Sequence, residues 1–222
     1  MSKPVVYVLS TRELSAALVE KAAANGVVID SLSFIAIEPI KVVELPGAPA
    51  VVVFTSVNAV EAAGGSGSRI FCTNGATRRK VAERFGEAAI AGTADSASEL
   101  AAKIIGEGWV KAVWFFCGEL RRHELPARLR QAGIEVHEEV VYRTKLTPRK
   151  IGRDYDGIAF FSPSAVKSFF SVNKIPARTR LFAIGGTTAE TIRRYCDNPV
   201  TISGQPDAEL LINQIIHDNT EE

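Results

Sequence analysis

The chain has 222 residues, 46% hydrophobic and 23% charged, with 17 Gly and 10 Pro, a globular composition that excludes disordered, collagenous and fibrous classes. Its 26 basic and 25 acidic residues leave a formal net charge of +1, so no long-range field favours nucleic acid or an anionic membrane, and an anionic partner must be gripped locally. No apolar run nears the roughly 18–20 residues of a membrane span, and Met1-Ser2-Lys3-Pro4 leads into strand-like residues without a signal-peptide core, so a cytoplasmic protein is expected.

Short β-branched or aromatic runs alternate with longer stretches of helical spacing, which predicts an α/β fold with mostly parallel sheets. Strands are expected near Val5–Leu9, Ile35–Ile37, Val51–Phe54, Ile70–Cys72, Ala89–Ala91, Ala112–Phe116, Val136–Tyr142, Gly157–Phe161, Leu181–Ile184 and Val200–Ile202, with helices between most of them. Gly26 and Gly133 read as C′ residues closing two helices. The run Gly64-Gly65-Ser66-Gly67-Ser68 lacks the Lys-Ser/Thr of a phosphate loop and reads as a flexible connection. Cys72, Cys117 and Cys196 are odd in number and widely spaced, which argues against a disulfide framework and a zinc ribbon. His123, His137 and His217 stand alone, so no metal site is expected.

The pattern also repeats. Phe54-Thr55-Ser56-Val57-Asn58-Ala59-Val60-Glu61 recurs as Phe160-Phe161-Ser162-Pro163-Ser164-Ala165-Val166-Lys167. Arg69-Ile70-Phe71 followed by Gly75-Ala76-Thr77 recurs as Arg180-Leu181-Phe182 followed by Gly186-Thr187-Thr188, and Glu99-Leu100 as Glu209-Leu210. A duplicated β/α unit implies two similar lobes, and ligands of such proteins sit between domains at the carboxyl ends of parallel strands. The length suits two domains of roughly 100 residues each.

Hydroxyl residues fall where strands end and helices start: Ser10-Thr11-Arg12, Thr55-Ser56, Thr77, Ser162 with Ser164, and Thr187-Thr188. Each is expected as an N-cap whose oxygen accepts from a free backbone N–H. Together, several helix N-termini aimed at one place would hold carboxylates or phosphates in a near-neutral protein. Arg12 and Arg121 are the better anion contacts, because each comes straight out of a strand-to-helix turn. No Ser sits in G-x-S-x-G and no Cys has a local His partner, which favours electrostatics and conformational control over covalent catalysis.

Five motifs occur in order: F-T-S-x-x-A-V from Phe54 to Val60, F-x-C-G-x-L-x-R from Phe115 to Arg122 with Leu125-Pro126, V-V-Y-x-T from Val140 to Thr144, F-S-P-S-A-V from Phe161 to Val166, and A-I-G-x-T-T-A from Ala183 to Ala189. With them the whole chain resembles a uroporphyrinogen-III synthase. The resemblance implies two similar three-layer, flavodoxin-like α/β lobes with mostly parallel sheets, joined by a two-stranded connector at about 34–39 and 140–144. One lobe would comprise 1–36 plus 146–222 and the other 37–145, so that domain and repeat boundaries disagree. The implied reaction closes the linear tetrapyrrole hydroxymethylbilane, with loss of its hydroxyl as water and inversion of the terminal pyrrole through a spiro intermediate, and needs no cofactor or metal. The substrate's eight carboxylates suit the helix-terminus reading. Catalysis would consist of holding one substrate shape against the competing closure without inversion.

Carried over position by position, the resemblance implies substrate contacts at Thr11, Arg12, Ser56, Thr77, Cys117, Gly118, Arg121, Ser162, Thr187 and Thr188. It implies Tyr142 nearest the leaving hydroxyl, where a phenol can donate a proton as that group departs. A strand aromatic packed at the hinge is the other reading of Tyr142. The family pattern has Gly three residues before the turn threonine; Gly185 fits, but Asn74 stands in the first half and is expected to keep the turn by adopting a left-handed conformation. A monomer is expected, with no nucleic-acid or membrane partner. The competing function is a non-catalytic two-lobed binder of a small polycarboxylate or tetrapyrrole; a receiver-type signalling module lacks its acidic pocket near Leu9 or Phe54.

Overall fold

The computed structural model describes residues 5–40, 43–44, 50–64 and 69–220. In chain order the elements are β1 (Val6–Ser10), α1 (Ala16–Ala24), β2 (Val27–Ser31), β3 (Ile35–Pro39), β4 (Val43–Glu44), β5 (Val51–Phe54), α2 (Val57–Ala62), β6 (Ala63–Gly64), β7 (Arg69–Thr73), α3 (Ala76–Phe85), β8 (Ile90–Ala94) and α4 (Ala97–Gly106). They continue as β9 (Ala112–Gly118), α5 (Glu124–Gln131), β10 (Glu135–Leu146), β11 (Gly157–Phe160), α6 (Pro163–Phe170), β12 (Arg180–Ala183), α7 (Gly186–Ile192), β13 (Val200–Ile202) and α8 (Ala208–Thr220). A single 3-10 turn, Glu87–Ala89, precedes β8.

Packing divides the chain into two units, Met1–Ala36 with Lys145–Glu222, and Ile37–Thr144. The division falls inside β3 and inside β10. The first unit holds a five-stranded sheet in the order β13-β12-β11-β1-β2, all of whose pairs are parallel. The six-stranded sheet runs β3-β10-β9-β5-β7-β8, parallel from β10 through β8. β4 and β6 form a separate two-stranded piece.

Both sheets are covered on both faces, which is why their central strands read as unbroken apolar runs. In the first unit Leu9, Ile158, Phe160 and Leu181 pack on one face against Val166 and Phe169 of α6 and Ile192 of α7. Val8, Ala159 and Phe182 pack on the other face with Ala22 of α1 and Leu211, Ile212 and Ile215 of α8. In the second unit Val51, Val53, Phe71, Val113 and Phe115 meet Leu100 and Ile104 of α4 and Leu125 and Leu129 of α5. Val52, Phe54, Ile70 and Phe116 meet Ala59 and Val60 of α2 and Val81 of α3. Each side chain of this size buried from water contributes about 1.5–3 kcal/mol, so alternation along each strand is what builds these layers.

Local signals account for most element ends. Gly26 and Gly133 have φ of 78° and 77° just after α1 and α5, as C′ residues require. After α5 the Gly133 amide donates to Arg130 and the Ile134 amide to Leu129, a Schellman closure. Three strands were absent from the sequence expectation: the two-residue β4 and β6, and β2, which follows Gly26 with no intervening turn residues, so helix stop and strand start coincide. β10 runs on to Leu146, four residues past the expected end at Tyr142. Of the glycine-rich run, Gly64 ends β6, and 65–68 lie outside the described residues. Among the described residues no helix is long and apolar enough to cross a membrane.

Candidate functional site

Because neighbouring strands are parallel, the turns after them share one edge of each sheet, spaced by about 4.8 Å per strand. In the first unit the register sets Ser10 opposite Ala159 and Phe160 opposite Ala183, which aligns the exits of β1, β11 and β12. Those exits carry Thr11-Arg12, Ser162 and Thr187-Thr188. In the second unit β9, β5 and β7 are neighbours, and their exits carry Cys117 to Arg121, Ser56 and Thr77. Every expected contact residue therefore lies at a carboxyl edge, five in one unit and the others, with Tyr142, in the second.

In the first unit Thr11 is 1% exposed, and its hydroxyl donates to the Ala159 carbonyl at 2.9 Å, tying β1 to β11. Ser10 folds over the same turn, its hydroxyl donating to the Arg12 carbonyl at 2.6 Å. Arg12 itself is exposed, with its guanidinium 5.5 Å from the centroid of Phe161. Ser162 is the N-cap of α6 and accepts from the Ala165 amide at 3.1 Å, with Pro163 pre-set for the first helical position. Thr187 and Thr188 differ from the expectation: the N-cap of α7 is Gly185, and both threonines lie inside the helix. Thr188 is buried, and the Thr187 carbonyl accepts from the Thr191 hydroxyl at 2.8 Å.

The second unit brings three expected residues into contact. Ser56 is the N-cap of α2 and accepts from the Ala59 amide at 3.2 Å. Its hydroxyl also lies 3.2 Å from the Tyr142 hydroxyl. Tyr142 stands on β10 opposite Gly118, after a register shift between Val140 and Tyr142, and the Glu119 amide donates to its carbonyl at 3.0 Å. Its ring covers Gly118: a Cβ on that glycine would come 2.5 Å from Tyr142 Cζ and 2.7 Å from the phenol oxygen. The side chain is half-buried, with the hydroxyl at the serine turn.

Around this group the other expected residues take structural partners. The Cys117 side chain is buried in the layer formed with α4 and α5, its thiol 3.6 Å from the Glu139 carbonyl, and burial pushes the thiol pKa up to about 11. Arg121 donates through Nε to Glu138, and Arg130 reaches the other carboxylate oxygen at 2.7 Å. Burial opposes ionisation of Glu138, but the hydrogen bonds from Arg121 and Arg130 outweigh it and hold the carboxyl below the usual carboxylate range. Glu138 was not among the expected site residues. Its signal was strand parity, since it alternates with Val136 and Val140 on the face toward α4 and α5, where an unpaired carboxylate is costly.

Thr77, like the α7 threonines, is not a cap. It is the second residue of α3, 6% exposed, behind an N-cap at Gly75. The turn is made by Gly75 at φ 73°, and no described non-glycine residue has positive φ. The expected left-handed Asn74 is therefore corrected: Asn74 keeps ordinary backbone and donates from Nδ2 to Asp95 at 2.7 Å, while its neighbour takes the strained conformation. Gly185, the residue matching the family pattern, has φ of 177° and is simply extended. Thr77 and Thr188 end up comparably buried in their helices despite different turns.

The family model for uroporphyrinogen-III synthase HemD matches residues 16–213. The chain belongs to the uroporphyrinogen-III synthase family. That family consists of lyases of haem biosynthesis. Two solved structures agree in fold. A mutant uroporphyrinogen III synthase of the extremely thermophilic bacterium Thermus thermophilus is 16% identical, with a TM-score of 0.60 over 97% of this chain and 99% of that one. The uroporphyrinogen-III synthetase of Helicobacter pylori 26695 is 16% identical, with a TM-score of 0.64 over 96% of this chain and 99% of that one. Comparison with curated protein sequences gave no match. For a uroporphyrinogen-III synthase family member, the arrangement offers neutral hydrogen-bond donors at both carboxyl edges and a phenol held by a serine.

Proposed function

We propose that this chain is a uroporphyrinogen-III synthase that closes hydroxymethylbilane with loss of water and inversion of the terminal pyrrole. The observation that carries the residue assignment is the Tyr142–Ser56 pair at 3.2 Å. Ser56 already accepts from the Ala59 amide, and a serine hydroxyl has one proton to donate. If that proton goes to the Tyr142 oxygen, the phenol's own proton is left to point away from Ser56, toward a departing hydroxyl. Proton transfer to that oxygen as the C–O bond breaks releases water, and the proton shed by the pyrrole carbon on ring closure restores the phenol.

The substrate's carboxylates call for donors rather than a strongly charged surface. We assign as contacts Arg12, Ser162 and the backbone at Thr11, Thr187 and Thr188 in one unit, and Ser56 and the backbone at Thr77 and Cys117-Gly118 in the other, with Arg121 bracing β10 beside them through Glu138. Backbone amides of first helical turns add to them without raising the net charge. Their work is to hold one folded substrate shape, so that closure with inversion outruns the unassisted closure. The repeat matched in sequence and the two units make a duplicated, two-lobed enzyme our reading of the architecture, with β3 and the end of β10 as connector. We take its working form to be a cytoplasmic monomer of 23.9 kDa, which light scattering on the purified protein checks.

The deciding experiment supplies the purified protein with fresh hydroxymethylbilane, oxidises the products and resolves the porphyrin isomers chromatographically beside a protein-free control. Isomer III rising in proportion to protein is the expected result. Isomer I alone, at the spontaneous rate, would make the chain a binding relative without turnover.

A further inference from the structure

We infer that a one-residue bulge in β10, together with the missing side chain at Gly118, is the device that positions Tyr142; Gly118 is thus a positioning residue acting through the phenol. The inference rests on the catalytic reading of Tyr142 for its functional consequence, and on geometry alone for the positioning itself.

Strand parity supplies the first step. Along β9, Val113, Phe115 and Cys117 face the layer of α4 and α5, and Trp114 and Phe116 face the layer of α2 and α3. On β10, Val136 and Val140 face α4 and α5. Continued regularly, the same parity would send residue 142 to that face too, since side chains repeat with period two. Instead Val141 and Tyr142 both pack on the side of α2 and α3. The pairing explains the switch: Val140 is opposite Cys117, and Tyr142, two residues on, is opposite Gly118, one residue on. Val141 is the extra residue of a bulge, and such a residue reverses the facing of everything after it. The reversal places the phenol beside Ser56, because α2 and its N-cap lie on that face.

Space supplies the second step. The parity of β9 directs position 118 to the same side, under the relocated ring. A Cβ there would lie 2.5 Å from Tyr142 Cζ, 2.6 Å from Cε2 and 2.7 Å from the hydroxyl, closer than real Cβ atoms come to a neighbour. Backbone conformation does not demand glycine at this position: among the described residues the positive-φ glycines are 26, 75, 86, 108 and 133. An alanine at 118 would therefore suit the strand backbone, and the three atoms it would meet first all belong to the phenol. The atoms displaced are the end of a side chain that swings about its own χ1, so the ring yields before the strand does, and the hydroxyl leaves Ser56. The ring is seated where its neighbour strand carries no side chain.

The test is a double-mutant cycle on the purified enzyme, with Gly118→Ala, Tyr142→Leu and the pair, read as kcat, KM and the isomer III to isomer I ratio. Gly118→Ala is expected to lower kcat about tenfold with KM changed less than about twofold, and to add almost nothing in the Tyr142→Leu background. Equal losses in both backgrounds would overturn the inference, since Gly118 would then act without the phenol. A second readout needs no activity. In wild type the ring over Gly118 shifts its α-proton resonances upfield, and Tyr142→Leu returns them to ordinary positions; α-protons at ordinary positions in wild type would overturn the seat even if Gly118→Ala did not fold. If wild type formed no isomer III while the ring-current shift was present, the catalytic reading would fail and the positioning would stand.

Discussion

Ser162 and Ser56 occupy matching places in the two units, and they are built alike. Both have extended backbone, with φ and ψ of −164° and 156° against −151° and 146°, and both accept from the amide three residues on, at 3.1 and 3.2 Å. Only Ser56 also meets a phenol. The neighbouring arginines diverge in the same manner: Arg12, leaving β1, is exposed over Phe161, whereas Arg121, leaving β9, is paired with Glu138. The cap belongs to the strand-turn-helix unit wherever that unit occurs. What distinguishes the second unit is a later strand, β10, that brings Tyr142 and Glu138 to turns whose counterparts have neither.

The largest expected effect comes from breaking that second difference. The Glu138 side chain is 14% exposed and shared by two arginines, so Glu138→Gln removes charge-assisted bonds from both. It should cost about 2 kcal/mol, or about 4–8 °C in Tm for a chain of this size. The pH dependence has a fixed sign. A carboxyl whose folded pKa is depressed adds stability above its unfolded pKa and loses that contribution as pH falls through the folded one. Wild type should therefore lose the advantage over Glu138→Gln below the ordinary carboxylate range, and thermal melts across acid pH check whether the two curves converge.

Next comes the phenol itself. Tyr142→Phe keeps the ring over Gly118 and removes only the hydroxyl that meets Ser56. We expect kcat to fall about tenfold, about 1.4 kcal/mol of barrier, with Tm almost unchanged. Steady-state kinetics with isomer analysis decide it, and unchanged kinetics would remove Tyr142 from the mechanism.

These effects differ in how far the sequence announces them. Doubly covered parallel strands such as Val51–Phe54 and Gly157–Phe160 announce themselves as apolar runs between turn residues, and the paired Ser caps follow from helix-start chemistry. β2 does not, because Gly26 ends the helix and opens the strand in one step. The threonines at 77, 187 and 188 mislead, since a hydroxyl near a helix start need not be its cap when a glycine ahead of it makes the turn. Asn74 misleads for a related reason: its neighbour Gly75 bears the positive φ at less steric cost. The facing of Tyr142 is illegible altogether. Period-two reading puts it with Val140, and the bulge that reverses it exists only in the pairing of β10 with β9. The Arg121–Glu138 pair likewise joins residues 17 apart through strand pairing, not through spacing on one element.

Cutting the two caps tests the first half of the comparison. Ser56→Ala and Ser162→Ala should each cost about 1 kcal/mol, or about 2–4 °C in Tm, because each orphans the same kind of amide. Their kinetics should part. Ser56→Ala is expected to lower kcat about threefold by leaving the phenol without its partner, while Ser162→Ala acts on KM through one lost donor. Parallel melts and kinetics on the two variants would separate the shared role from the added one, and identical kinetic losses would mean that the Tyr142 contact is incidental to Ser56.

The smallest effect sharpens the arginine comparison. Among the described residues Arg12 has no carboxylate partner; its guanidinium lies over the Phe161 face, a contact worth about 0.5–1 kcal/mol at an exposed site. It is held in place without having its charge neutralised, which suits it to one of the substrate's carboxylates. Arg12→Gln should raise KM about threefold at low ionic strength, with kcat and Tm nearly constant. Because the contact is at the surface, the difference from wild type should shrink as salt rises past the physiological range. Arg121→Gln should instead register first in Tm, since it releases Glu138 from one of its two bonds. KM measured against salt for both variants distinguishes a guanidinium that meets substrate from one that braces a strand, and a salt-independent KM for Arg12→Gln would place Arg12 with the second kind.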